Sequence, residues 1–223
     1  MKPGDFFVGV LDFFAILLPG GLTTWLVTQY IPKEELRGAL SFGLAANPDA
    51  SVLWAAFLLS SYLLGHFVFM AGGRLDVVYD RWRKRAKPEA GDKTFQAARE
   101  LQNELTKELV GGEFTTLKWA RAYVQIKAPE ARAEIDRLEA DSKFFRSLIV
   151  VLALAAAHFL LRVQSPVAGV VALLMTWLSY QRYRQQRWKM TELSYGTAVI
   201  LHATSSPREG AAPSHAQDTA VQD

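Results

Sequence analysis

The segment from Pro129 to Arg162 reads PEARAEIDRLEADSKFFRSLIVVLALAAAHFLLR. Its first half is charged and its second half apolar, and no proline or glycine after Pro129 separates them. Proline is well suited to the first position of a helix. Ala131, Ile135, Leu138 and Ser142 then recur at helical spacing. The stretch predicts one continuous helix, about 50 Å long at 1.5 Å per residue, that starts in water and ends in a membrane.

The chain downstream repeats this in reverse. After the short turn VQSP at 163–166 come VAGVVALLMTWLSY and then RYRQQRWK, with no proline or glycine between Gly169 and Gly196. Tyr180, Tyr183, Arg187, Met190 and Ser194 share one face, with Leu193 beside it. A second helix is expected from Pro166 to about Tyr195, antiparallel to the first, with Ile135 and Leu138 facing residues 183–193. The pair would cross the membrane and continue as a cytoplasmic stalk. Its stripe reads as intramolecular core, because no heptad persists for three repeats; an oligomer seam is the alternative.

Two further apolar blocks lie upstream, at 6–30 and 52–71. A span needs about 20 mostly apolar residues. With 144–161 and the shorter 167–180, the blocks give four spans; a buried soluble hairpin is the alternative for the last two. The expected fold is all-α, a four-span helical membrane protein whose third and fourth spans extend as the stalk. The expected divisions are an N-terminal transmembrane hairpin at 1–73, a cytoplasmic helical domain at 74–143, a second hairpin at 144–181, a C-terminal helix at 182–203 and a disordered tail at 204–223. MKPGD is not read as the start of a cleaved signal.

Within the cytoplasmic domain, Phe95, Ala98, Leu101, Leu105 and Leu109 form one amphipathic stripe, and Gly111-Gly112 stops that helix. Phe114, Leu117, Ala120 and Val124 form a second. Both helices are expected to pack on the stalk.

Basic residues set the orientation. Arg81, Arg83, Lys84, Arg85 and Lys87 follow the second span, and Arg182, Arg184, Arg187 and Lys189 follow the fourth. Such flanks stay cytoplasmic. They predict a multi-pass protein of the bacterial inner membrane with both termini inside, its basic residues on anionic lipid headgroups. Trp25, Tyr30 and Trp54 suit the outer interface; Trp82, Trp177 and Tyr180 suit the inner one.

Half of the 223 residues are hydrophobic and 21% are charged, giving a mean hydropathy of +0.07 and a net charge of +3. So small a net charge argues against a general basic field for nucleic acid. The absence of cysteine removes disulfides, thiolate metal sites and thiol nucleophiles. No dinucleotide-binding, P-loop, zinc-protease or serine-hydrolase signature is present. The four histidines lack metal-ligand spacing, so no enzyme, cofactor or metal is expected.

The polar residues in the apolar blocks are Asp12, His66 and His158, and such residues are costly and often functional. Asp12 and His66 share a depth on adjacent spans, which predicts a pair that acts as a proton-sensitive gate or a polar clasp. The alternative for Asp12 is a helix N-cap. For His158 it is a side chain reaching the outer interface beside Arg162. Pro19-Gly20-Gly21 predicts a kink in span one, with Thr23 and Thr24 as donors to the carbonyls it frees at Ala15 and Ile16. Small residues four apart, at Ser61/Gly65, Ala153/Ala157 and Ala168/Ala172, predict close helix contacts.

The stretches LDFFAILLPGG, SYLLGHF and RWKMTELSYGTAV resemble bacterial inner-membrane proteins, some of which accompany antiphage defence genes. The long hairpin is similar in architecture to two-span helical effectors of the SLATT type. The resemblance implies a membrane-perturbing or signalling role, and it transfers no functional residue. The leading expectation is an oligomeric, pore-forming or signal-responsive membrane effector. The alternative is a scaffold that tethers a cytoplasmic protein partner.

Overall fold

The computed structural model of the protein describes residues 3–32, 50–86, 91–106 and 115–205, without the side chains of 3–12 and Phe14. Among these residues every regular element is helical and there is no strand. The elements are α1 (Pro3–Thr28), α2 (Ala50–Gly72), α3 (Arg74–Ala86), α4 (Lys93–Thr106), α5 (Thr116–Lys127), α6 (Pro129–Ala157) and α7 (Pro166–Ser205). Lys87, Leu109, Gly111-Gly112, Phe114, the side chain of Asp12 and the chain after Ser205 lie outside the described residues.

The opening segment forms one helix. α6 carries Pro129 in its first turn and runs unbroken through Asp136–Arg146 to Ala157, where it widens into a π-turn at His158–Arg162. Val163 donates its amide to the His158 carbonyl, the five-residue step of that turn. α7 folds back along α6, and their packing is the most extensive among the described residues. α7 runs ten residues past its expected end at Tyr195, so residues 204 and 205 are helical and not tail. Gly196 does not stop it: beyond that glycine Ala198 is fully buried, and this burial outweighs the helix cost of glycine, about 1 kcal/mol.

α1 packs on α2 and α6, α2 on α6, and α4 and α5 on α7 and on each other. α4 starts at Asp92, whose carboxylate accepts the Phe95 amide at 3.2 Å. α5 starts at Thr115, whose hydroxyl accepts the Lys118 amide. Ala98, Leu101, Trp119, Ala120, Val124, Ile135, Leu138, Met190, Tyr195 and Ala198 form one core. Ile135 and Leu138 thus face α7 as expected, whereas Leu105 is exposed.

The other end of the bundle is built differently. Two helical stretches are long and apolar enough to cross a membrane, Ala50–Ala86 and Pro129–Arg162, and Ala15–Thr28 is a shorter apolar helix. Their large side chains point outward: Trp54, Leu59, Phe67 and Leu161 are exposed, as are Val167, Leu174 and Trp177 on α7. The helices touch through small residues. A Cβ on Gly20 would lie 1.7 Å from the Ser61 carbonyl oxygen, and one on Gly65 would lie 2.2 Å from that of Ile16. α1 stays helical through Pro19-Gly20-Gly21, and its close approach to α2 at Gly20 makes this segment the crossing surface. The Thr23 and Thr24 hydroxyls donate to the Pro19 and Gly20 carbonyls at 2.8 and 2.9 Å, not to Ala15 and Ile16. A threonine in a helix reaches back four residues, which places the bond one turn beyond the carbonyls that the proline frees. Ser61 and Gly65 are buried as expected. On α7 the buried small residues are Gly169 and Ala172. Ala153 and Ala157 face outward, and Ala156 is the buried alanine of that turn.

Candidate functional site

The charged residues that converge lie where the apolar and polar halves meet. Gly73 ends α2, and α3 restarts at Arg74. Asp76, one turn further on, receives three donors from two other helices. The Tyr183 hydroxyl donates to Oδ1 at 2.6 Å. Arg187 Nη1 lies 3.2 Å from the same oxygen. Arg146 Nη1, from α6, donates to Oδ2. Arg187 also reaches Asp80 at 3.4 Å. Arg146 crosses the end of α2, with its guanidinium 4.6 Å from the centre of the Phe69 ring. A Cβ at Gly72 would lie 3.2 Å from Arg146 Cγ, so the glycine leaves room for this crossing.

Burial governs the chemistry here. Tyr183 is fully buried. Burial, followed by its bond to Asp76, raises its pKa far above the ordinary tyrosine value. Burial disfavours the charge of Arg187, but Asp76, Tyr183 and Asp80 outweigh that, and its pKa rises. The Asp76 carboxylate is thus held by two arginines and a neutral tyrosine. The cluster fastens α3 to α6 and α7 at one point.

Of the nine basic residues expected at the membrane surface, Arg81, Lys84, Arg85, Arg182 and Lys189 are exposed. Arg184 stacks over Trp82 at 4.6 Å. Arg187 belongs to the half-buried Asp76 cluster. Arg83 stacks over Trp188 at 4.8 Å and lies 3.6 Å from Asp92. Trp82, Leu178, Arg182, Arg184, Trp188 and Lys189 line a groove on the α3–α7 face.

His158 is buried, with Nδ1 2.9 Å from the Tyr30 hydroxyl and its ring edge-on to Tyr30 and Trp25. It joins α1 to the π-turn and does not extend to the surface beside Arg162. His66 is on the outward face of α2 against Tyr62, with ring centres 4.6 Å apart. Asp12 lies inside α1, nine residues after Pro3, so it is not the helix cap. Its pairing with His66 involves a side chain outside the described residues. Among the described residues no three metal-ligating side chains gather.

Sequence reading missed Arg146 and Asp76. The signal was the arginine inside FFRSLIVV, a charge within an apolar run, together with the acid that follows Gly72-Gly73.

No protein-family model, curated protein or solved structure matches the chain.

Proposed function

We propose that the protein is a four-span inner-membrane protein, both termini cytoplasmic, whose helical head receives a signal and whose spans respond by altering membrane permeability as a homo-oligomer. The observation that carries the reading is the continuity of α6 and α7. Both run from the core of the head into the apolar half without a turn, so a displacement of the head moves the spans with it. The outward apolar side chains then face lipid, and the exposed basic residues at 81–85 and 182–189 lie on anionic headgroups. A role beside antiphage defence genes fits such an effector. No catalytic step is part of this reading.

The second reading, a scaffold for a cytoplasmic partner, is favoured by apolar side chains exposed on the head, Ile126 at 76% and Leu105 at 41%. Ion flux through the purified protein in liposomes separates the two. The effector reading expects flux above that of empty liposomes. Absence of flux, with capture of a cytoplasmic protein that Ile126→Asp abolishes, would support the scaffold.

A further inference from the structure

A cleft of about 220 Å³ opens between α3, α4, α5 and α7. We infer that it binds a phosphate-bearing anion, held by Tyr79, Arg83 and Lys84. The inference rests on the reading of the head as a signal receiver, and it supplies the ligand class.

The cleft is lined by Tyr79, Arg83, Lys84 and Arg187, with Phe95, Leu117 and Tyr195 among its other walls. Two polar atoms of this lining are buried without a partner: the Tyr79 hydroxyl and Arg83 Nη1. Tyr79 is 1% exposed. An orphaned buried polar group costs about 1–3 kcal/mol and is uncommon in a native protein. Arg83 is close enough to the Tyr79 oxygen to favour its charged form both by charge and as a hydrogen-bond donor, yet neither the hydroxyl nor Arg83 Nη1 meets the full distance and angle of a hydrogen bond. Burial raises the Tyr79 pKa, and Arg83 and Arg187 offset this only in part. The hydroxyl therefore keeps its proton at neutral pH and can donate.

The donors outnumber the acceptors. Arg83, Lys84 and Arg187 line the cleft against Asp80 and Asp92, and both carboxylates already accept: Asp80 from Arg187, and Asp92 from Arg83 and the Phe95 amide. What is left is the Tyr79 O–H, the N–H groups of Arg83 Nη1 and the exposed Lys84 ammonium. Three cationic side chains against two carboxylates leave an excess of donors and of positive charge, which suits an acceptor-only group with several oxygens, a phosphate. The volume is below the roughly 300–1,000 Å³ of pockets that enclose a drug-sized ligand, so the cleft takes the phosphate end and a small neighbouring part. The four walls come from the helix that follows α2, from both head helices and from α7. A ligand here ties the head to the elements fastened by Asp76.

The phosphate can belong to a soluble ester or to a lipid headgroup, and the test separates these. The full chain is reconstituted in phosphatidylcholine nanodiscs and titrated calorimetrically with inorganic phosphate and with adenosine monophosphate. A parallel set of discs contains phosphatidic acid, and its thermal midpoint is compared with that of the plain discs. Saturable binding of a soluble probe identifies a soluble source; a raised midpoint only with phosphatidic acid identifies the lipid. Either effect should weaken by about tenfold in Tyr79→Phe and in Lys84→Gln, the loss expected for one hydrogen bond to a charged group. Tyr79→Phe should change the ligand-free midpoint little, since the hydroxyl makes no well-formed hydrogen bond to lose. The exposed Lys84→Gln keeps the test valid should Tyr79→Phe fold poorly. No response to any probe overturns the inference. So does a response that both substitutions leave unchanged, which is the result expected if water alone fills the cleft.

Discussion

The two ends of α6 and α7 follow opposite packing rules. In the head, Ile135, Val124 and Met190 are at most 2% exposed, and charges such as Arg137 and Glu134 face outward. At the other end, Leu161 is 81% and Val167 75% exposed, while Gly20, Ser61, Gly65 and Ala172 fill the contacts. A large hydrophobic side chain gains free energy on leaving water, so in the head it goes inside. In lipid it gains nothing by that move, and close backbone approach decides the packing instead. On the proposed topology one helix obeys both rules because its surroundings change from water to lipid along its length. Arg146, Ser179 and Tyr183 mark the change, and the Asp76 cluster sits there.

The largest expected effect breaks the apolar half. Gly20→Val puts a side chain into the Ser61 backbone, which cannot yield as a flexible side chain could. The α1–α2 crossing should fail to close, and size-exclusion chromatography in detergent should recover little monodisperse protein. Leu18→Val, on the exposed side of the same helix, should behave as the parent.

Removing the junction comes next. Asp76→Ala leaves Arg146 buried with no counter-charge and should destabilise by about 3 kcal/mol, the lower end for breaking a buried pair. Arg146→Met in the same background should restore much of this, read as the thermal midpoint. No recovery would mean that Asp76 acts in some other way.

A matched pair of truncations sharpens the contrast between the halves. Leu138→Ala, in the core of the head, should cost about 2–4 kcal/mol by chemical denaturation. Leu59→Ala, equally large but outward-facing in the apolar half, should cost under about 0.5 kcal/mol in detergent. Equal costs would contradict the two-rule account.

The smallest effect is at the turn. Gln164 has φ 54°, a conformation that glycine adopts more readily than glutamine. Gln164→Gly should raise stability by about 1 kcal/mol. The cluster also has an alkaline limit. The Tyr183 pKa is raised in the folded protein, so its contribution is complete below the ordinary tyrosine value of about 10 and is lost as the pH climbs beyond it. Tyr183→Phe should remove that part of the decline.

How much could be read beforehand follows from the same physics. Periodicity gave the helix from Pro129, its partner and the faces of Ile135 and Leu138, because one amphipathic stripe has only one core to bury. It missed the end of α7, since Gly196 stops a helix only where burial beyond it is poor. The Pro-Gly-Gly segment was legible as a special place and not as a contact surface, because the neighbour that needs Gly20 is 41 residues away. Arg146 and Asp76 are 70 residues apart, and no local pattern joins them. The interface alternative for His158 fails because Tyr30, 128 positions earlier, and Trp25 pack against it.

The central claim is that α6 passes unbroken from the aqueous head through the membrane. The chain has no cysteine, so single cysteines can be placed along α6 from Arg137 to Leu161, and at Gln164, without background. Each is labelled with a membrane-impermeant maleimide in inside-out and right-side-out vesicles. The account predicts labelling at exposed head positions such as Arg137 only in inside-out vesicles, protection from about Ile149 to Leu161, and labelling at Gln164 only in right-side-out vesicles. Labelling of Arg137 and Gln164 from the same side, or of Leu154 and Leu161 from either, would contradict it.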